Sequence, residues 1–142
     1  MGITILGVGT GSFYVTVDGK DLTADTKSVT VNMATDSVDI TAMGATAHAF
    51  VAGLRDDSID IEFFQDRASN KVDQTINSLL GTTGGTVVVI DGGTVASSTT
   101  PSYTLVGIPF TYSPIDGSVG DASMTKVTFK PTAGNSITRA TT

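Results

Sequence analysis

The stretch DSIDIEFF, Asp57–Phe64, decides the fold class of this sequence. Polar and apolar residues alternate along it, and side chains of a β-strand point alternately to opposite faces. The apolar face would hold Ile59, Ile61 and Phe63, and the polar face Ser58, Asp60 and Glu62. A period of two with one wet face is typical of an antiparallel strand that covers a core on one side only.

The same alternation extends upstream of this stretch. KSVTVNMA, residues 27–34, predicts a strand with Val29, Val31 and Met33 turned inward. DSVDITAM, residues 36–43, repeats the pattern and places Val38 and Ile40 on the inner side. SFYVTVDG, residues 12–19, ends in an Asp-Gly pair, which favours a tight hairpin turn. The first half of the chain therefore predicts antiparallel strands.

One helix interrupts the strands, at about Asn70–Leu80. An apolar stripe with helical spacing runs along it, and Gly81 is suited to end it. A continuous apolar run at 87–90 and two segments at 102–112 and 123–130 predict further strands, with Pro109 bending the first of these two or confining it to a sheet edge. We predict a mainly β fold, a two-sheet antiparallel sandwich or barrel with one short flanking helix.

The bulk composition limits the functional classes. The chain has 142 residues, no cysteine and a net charge of -6, with a sequence pI of about 4.4. The absence of cysteine excludes thiolate metal sites and a cysteine nucleophile, and the acidic balance disfavours a protein that wraps nucleic acid. No segment approaches a membrane span or a signal peptide. We predict an N-terminal arm over 1–11, a single β domain over 12–131 and a C-terminal arm or flexible tail over 132–142.

The candidate catalytic residues are few. Asp60 and Glu62 share a strand face at the spacing of a hydrolase pair, but any solvated strand face produces the same spacing. His48 is the single histidine. A metal site there would need aspartate and glutamate partners, and a serine triad would need a nucleophile motif that the sequence lacks, so a surface or subunit contact is expected. Arg55 is expected to pair with a nearby aspartate. The glycines of ILGVGTGSF do not fit a dinucleotide-binding motif. We predict no enzyme, no cofactor and no metal, and a binding or structural module instead.

Several phrases of the sequence together resemble a known family. VDITAMGATAHAFVAGLRDDSIDIEFFQD (38–66), preceded by VTVN and followed by VDQTINSLLG, resembles the tail tube protein family of long-tailed bacteriophages, as does YSPIDGSVGDASMTKVTFKP (112–131) near the end. The resemblance covers about Phe13 to Pro131. His48 departs from it, because an arginine is expected there. The resemblance implies rings of identical subunits, commonly hexamers, stacked into a hollow tube within a virion tail, with other phage structural proteins as partners and DNA as cargo that passes without being gripped.

The resemblance also gives the candidate site residues a role. Asp60 and Glu62 become the wet, and in a tube the lumenal, face of a strand. Candidate subunit contacts are Ile3, Ile5, Leu6, His48, Arg55 and Ile137. A capsid decoration protein or a head–tail joining protein is the alternative, since either would also be acidic, free of cysteine and symmetric. A carbohydrate-binding or adhesin domain is a more distant alternative, disfavoured by the absence of tryptophan.

Overall fold

The computed structural model describes residues 13–142 of the chain. Within this range it has ten β-strands and one α-helix. The first strands are β1 (Tyr14–Val17), β2 (Lys20–Asp21), β3 (Thr26–Asn32), β4 (Thr35–Asp39), β5 (Phe50–Arg55) and β6 (Ser58–Phe64). After them come α1 (Val72–Leu79), β7 (Gly85–Ile90), β8 (Ser102–Thr111), β9 (Met124–Pro131) and β10 (Thr138–Ala140).

Eight of the strands form one antiparallel sheet, which is not closed into a barrel. Its order is β2-β1-β7-β8-β9-β6-β3, and β10 pairs with the first part of β8. The turn between β1 and β2 is built by Asp18 and Gly19, which both have a positive φ as the Asp-Gly pair predicts. The remaining strands, β4 and β5, pair with each other and with no other strand of the described range. The mainly β fold with one helix is therefore confirmed, whereas the second sheet is a two-stranded hairpin.

The hydrophobic core lies on one face of the large sheet, and α1 packs on that face. Ile59, Ile61 and Phe63 of β6 are at most 1% exposed, as their alternation predicts. The helix contributes Val72, Ile76 and Leu79 to the core. It is slightly shorter than predicted, since Asn70 adopts a positive φ and donates its backbone N–H to the Gln74 side chain instead of capping the helix.

Pro109 is accommodated in a way that the sequence only partly indicates. It lies on β8, an inner strand of the sheet, and the register between β8 and β9 shifts between Pro109 and Thr111. The residue left unpaired by this bulge is Phe110, whereas Pro109 is paired with Phe129 of β9. The pairing of β8 with β7 ends at Gly107, so within the described residues the strand at Pro109 has a neighbour on one side only, as at a sheet edge, where a proline is tolerated.

The segment after β9 is docked on the domain. Ile137 is 3% exposed and belongs to the core, and β10 pairs with β8. The sequence predicts an arm or flexible tail here because the segment is rich in small polar residues. Ile137 and the three residues of β10 hold the segment on the domain. β10 can pair there because β9 pairs with β8 only from Gly107 onward and leaves the first half of β8 free on that edge.

Candidate assembly surfaces

The hairpin of β4 and β5 has no buried residue. Every position from 32 to 56 is exposed, and the residues 33–56 are called the exposed hairpin below. It nevertheless carries large apolar side chains, namely Met33, Val38, Ile40, Met43, Phe50, Val51 and Leu54, with exposed fractions from 45% to 104%. Large apolar side chains gathered on one exposed element make it a candidate interaction surface. The alternation of β4 correctly predicts a strand, but its inner side faces no part of the described chain.

The apolar residues lie on both sides of the exposed hairpin. Val38 and Val51 are directly paired and so point to the same side, and Ile40 follows two residues after Val38. Phe50 is adjacent to Val51 in the chain and points to the other side. A partner that covers one side alone would therefore leave apolar side chains of the other side in water.

The base of the exposed hairpin is fixed by Asp57, whose side chain is completely buried. Its carboxylate accepts hydrogen bonds from the Ala34 N–H (3.1 Å), from Nε and an Nη of Arg55 (3.1 and 2.6 Å), and from the Ile137 N–H (2.8 Å). Burial raises the pKa of Asp57, but the donors of Ile137, Arg55 and Ala34 outweigh burial and hold the pKa below its usual value. One carboxylate thus joins both strands of the hairpin base to the C-terminal segment.

His48 lies near the far end of the exposed hairpin. Its Nδ1 is 3.7 Å from Oδ2 of Asp39 and 3.4 Å from the Thr41 hydroxyl, and its ring lies 6.1 Å from that of Phe50. The side chains of His48 and Asp39 are 77% and 53% exposed. These contacts organise the end of the hairpin, and a surface contact is compatible with them.

The outward side of β3, β6 and β9 forms a second surface, the polar face. It is lined by Ser28, Thr30, Asp60, Glu62, Lys126 and Thr128. Glu62 is directly paired with Lys126, and Asn32 donates a hydrogen bond to Asp60 at 3.3 Å. The two carboxylates predicted to share a wet strand face therefore do so, but a lysine stands beside them, so the polar face carries both signs of charge.

The loop between β8 and β9 forms a third surface. Tyr112 donates to Asp73 of α1 at 2.7 Å, and Gln65 donates to both the Tyr112 hydroxyl and the Pro114 carbonyl. Burial and the Asp73 carboxylate raise the pKa of Tyr112 to about 12. Beyond this anchored base, Ile115 and Val119 are 81% and 107% exposed.

The predicted site residues are thus distributed over several parts of the molecule. His48 and Arg55 lie on the exposed hairpin, and Asp60 and Glu62 on the polar face. Arg55 pairs with Asp57, as predicted from the sequence. Ile137 lies in the core, so a subunit contact through it would require it to leave the core. Ile3, Ile5 and Leu6 lie outside the described residues.

Sequence reasoning missed the main feature of the exposed hairpin, which is that its apolar residues are all in water. No local signal in the sequence separates this hairpin from the packed strands, because β4 shows the same alternation as β3 and β6.

Over residues 13–142, no group of three or more aspartate, glutamate or histidine side chains is arranged to hold a metal ion. In the same range, no helix has the length and apolar character needed to cross a membrane.

Comparison with known proteins gives a consistent result at the level of structure alone. No protein-family model matches the sequence, and no curated protein gives a significant match. Among solved structures, a chain from the tail of an empty gene transfer agent particle, refined with C6 symmetry, aligns with a TM-score of 0.69 and 16% identity over 89% of this chain and 95% of that one. The chain has the fold of phage-type tail proteins.

Two further structures share this tail fold. A chain from the cap that terminates the tube of the anti-feeding prophage aligns with a TM-score of 0.66 and 14% identity, covering 100% of this chain and 95% of that one. A chain from the sheath/tube terminator of an extracellular contractile injection system aligns with a TM-score of 0.62 and 12% identity, covering 92% and 96%. The tail fold therefore occurs in more than one kind of tail-like particle.

Proposed function

We propose that this protein is a structural, non-catalytic subunit of a phage-type tail that self-assembles into stacked rings and thereby forms a tube. Three observations support the proposal. The chain shares the fold of proteins from assembled tails, its exposed hairpin carries apolar side chains that the monomer leaves in water, and its sequence resembles the tail tube family. On this proposal the protein is located in the virion tail.

The exposed hairpin is the single observation that carries the proposal. An isolated two-stranded hairpin is at best marginally stable in water, and seven large apolar residues at least 45% exposed on one make it an interaction element. Because both of its sides are apolar, it fits between two neighbouring surfaces. A ring-and-stack assembly provides such a position, since each subunit then has neighbours around the ring and along the tube.

The open sheet supports ring formation by a second route. Within the described residues, β3 pairs only with β6, and β2 pairs only with β1, so the two ends of the sheet have unpaired edges. An unpaired edge is a template for a strand from another chain. Joining the sheets of neighbouring subunits would satisfy these edges and produce a continuous wall, with the hexamer as the ring size implied by the family resemblance.

The polar face is the surface that we assign to the lumen. The side chains that line it are polar or charged, apart from strand residues that point into the core. It can therefore stay wet after assembly. The carboxylates of Asp60 and Glu62 repel the phosphates of DNA there, and the adjacent Lys126 limits this repulsion. DNA would therefore pass as cargo without tight binding.

A tube-terminating protein is the second candidate, because two of the similar structures are a tube-terminating cap and a sheath/tube terminator. A tube subunit assembles without a fixed length, whereas a terminator stops at one ring. The capsid decoration and head–tail joining alternatives share the requirement for symmetric self-association, but no similar structure cited above favours either of them.

The experiment compares the native chain with the variant Phe50→Ser/Leu54→Ser by light scattering and negative-stain electron microscopy at rising concentration. We expect rings or tubes from the native chain and folded monomers from the variant. Val95→Ser is the matched control, since Val95 is 75% exposed but lies in the loop between β7 and β8.

Three outcomes are decisive. Tubes of variable length support the tube subunit, and single rings that do not stack support the terminator. A native chain that stays monomeric at high concentration contradicts both.

A further inference from the structure

An apolar groove lies beside β3, which is the end strand of the sheet, and next to the residue that precedes β1. Its volume is about 370 Å³. It is lined by Phe13, Val29, Val31, Val89 and Tyr103, with Thr30 and Asp91 completing the lining. Val89 is buried, whereas Phe13, Val29, Val31 and Tyr103 are only partly buried, although they pack on the core. The groove is therefore an extension of the core that remains accessible from outside.

Among residues 13–142, the edge of β3 that borders the groove has no pairing partner. Val29 and Val31 belong to β3, and Phe13, which immediately precedes β1, lies across the groove from them. A further strand placed along β3 would fill the groove with side chains on one side and satisfy the edge of β3 with its backbone. The shape of the site thus fits an extended peptide with alternate apolar residues.

The chain supplies a segment of that kind. Twelve residues precede Phe13, and their sequence begins MGITIL. In an extended conformation Ile3 and Ile5 share one side, two residues apart, which matches the spacing of Val29 and Val31 along β3. The six residues between Leu6 and Phe13 span roughly 20 Å when extended. Ile3–Leu6 can therefore reach a groove of an adjacent molecule that lies within this distance of Phe13.

We propose that the groove receives Ile3–Leu6 of a neighbouring copy as an added strand. This inference rests on the self-assembly proposed above and names the contact through which one subunit holds the next. Each copy then donates one segment and accepts one, and such a head-to-tail contact closes into a ring when the rotation between copies permits. The donated strand also fills the space between β3 and Phe13.

Disulfide trapping tests the contact cleanly, because the chain has no cysteine of its own. An Ile5→Cys variant with a mass tag is mixed with an untagged Val31→Cys variant under assembly conditions and mild oxidation. A disulfide between tagged and untagged chains can form only between copies. Val89→Cys is the second acceptor, in case Val31→Cys does not fold.

The matched control replaces the acceptor with Val119→Cys. Val119 is fully exposed in the loop that follows β8, whereas the groove residue Tyr103 lies at the start of that strand. We expect tagged–untagged dimers as the main oxidised product with Val31→Cys and their loss with Val119→Cys. The Ile5→Cys/Val31→Cys double variant at high dilution should remain without an internal disulfide.

Two results would overturn the proposal and leave the proposed function standing. One is the formation of rings or tubes without the specific dimers for either groove acceptor. The other is an internal disulfide in the dilute double variant, since the segment would then dock on its own copy. If no variant and no native protein forms rings or tubes, the proposed function itself fails, and this contact fails with it.

Discussion

At the scale of single residues, Asp57 shows how one side chain connects parts of the chain that are far apart in sequence. Its carboxylate accepts hydrogen bonds from Ala34, Arg55 and Ile137 and has no exposed surface. A buried charge is tolerated only where it is paired and fully hydrogen-bonded, and here these bonds hold the hairpin base and the C-terminal segment together.

The substitution Asp57→Asn should therefore destabilise the domain by roughly 2–4 kcal/mol, since the amide puts N–H donors where other donors already point and leaves Arg55 without its counter-ion. Urea unfolding measures the loss. Asp56→Asn is the control, because the Asp56 side chain is 65% exposed and its contact with Lys130 is a surface ion pair. A loss below about 0.5 kcal/mol for Asp57→Asn would contradict the structural role of the carboxylate.

The same residue predicts a dependence of stability on pH. Because the pKa of Asp57 is lower in the folded than in the unfolded chain, its contribution is fully present above the unfolded value of about 3.9 and is lost as pH falls through the lower folded value. Unfolding of the native chain should become easier below about pH 4, and Asp57→Asn should reduce this dependence. Equal pH profiles for the two proteins would count against this assignment.

At the scale of secondary-structure elements, α1 and the exposed hairpin both have a periodic apolar pattern, but the apolar side chains of α1 are buried and those of the hairpin are exposed. The apolar stripe of α1 packs on the inner face of the large sheet and is buried. The apolar side chains of β4 and β5 pack against no other element among the described residues. Periodicity thus predicts which side chains share a face, and it leaves open whether that face is covered by the same chain or by another.

Adjacent leucines at the end of α1 allow this difference to be measured. Leu79→Ala should lower the free energy of unfolding by about 2–5 kcal/mol, because Leu79 is 5% exposed and its removal leaves a cavity. Leu80→Ala is the matched control, since Leu80 is 38% exposed, and it should cost far less. Similar losses of unfolding free energy for the two variants would contradict the packing of α1 described above.

At the scale of the whole molecule, the exposed hairpin and the groove carry accessible apolar side chains, whereas the polar face carries charges of both signs. This division agrees with a subunit that buries some surfaces against its neighbours and keeps one surface in water. A change of charge on the polar face should therefore affect neither the fold nor the assembly.

We expect Asp60→Asn/Glu62→Gln to retain both the fold and the assembly, because partly exposed charges contribute little to stability. Thermal unfolding and electron microscopy test this expectation. The Phe50→Ser/Leu54→Ser variant is the contrasting case, which should lose assembly while keeping its fold. Loss of rings in the charge variant would place the polar face in a subunit interface, and a hydrolytic activity abolished by either single change would overturn the structural role.

Deletion of residues 1–11 should spare the fold and weaken assembly, because β1, β6, β7, β9 and α1 supply a large buried core among the described residues. Circular dichroism and light scattering measure the two properties separately. Amide exchange on the full chain adds a direct comparison, and equal protection of Ile3–Leu6 in free and assembled protein would contradict a role for this segment between subunits.

The sequence alone determined the mainly β class, the strand faces of β3 and β6, the Asp-Gly turn and the helix after β6. These features follow from local periodicity and turn chemistry, which act over a few residues. The tertiary structure alone decided that Val38 and Ile40 lie in water, that Ile137 enters the core and that Lys126 stands beside Glu62. These outcomes depend on contacts between residues far apart in the chain, such as the pairing of β6 with β9 and the hydrogen bond from Ile137 to Asp57. A one-dimensional pattern cannot specify them, because it records the character of a face and not the surface that the face meets.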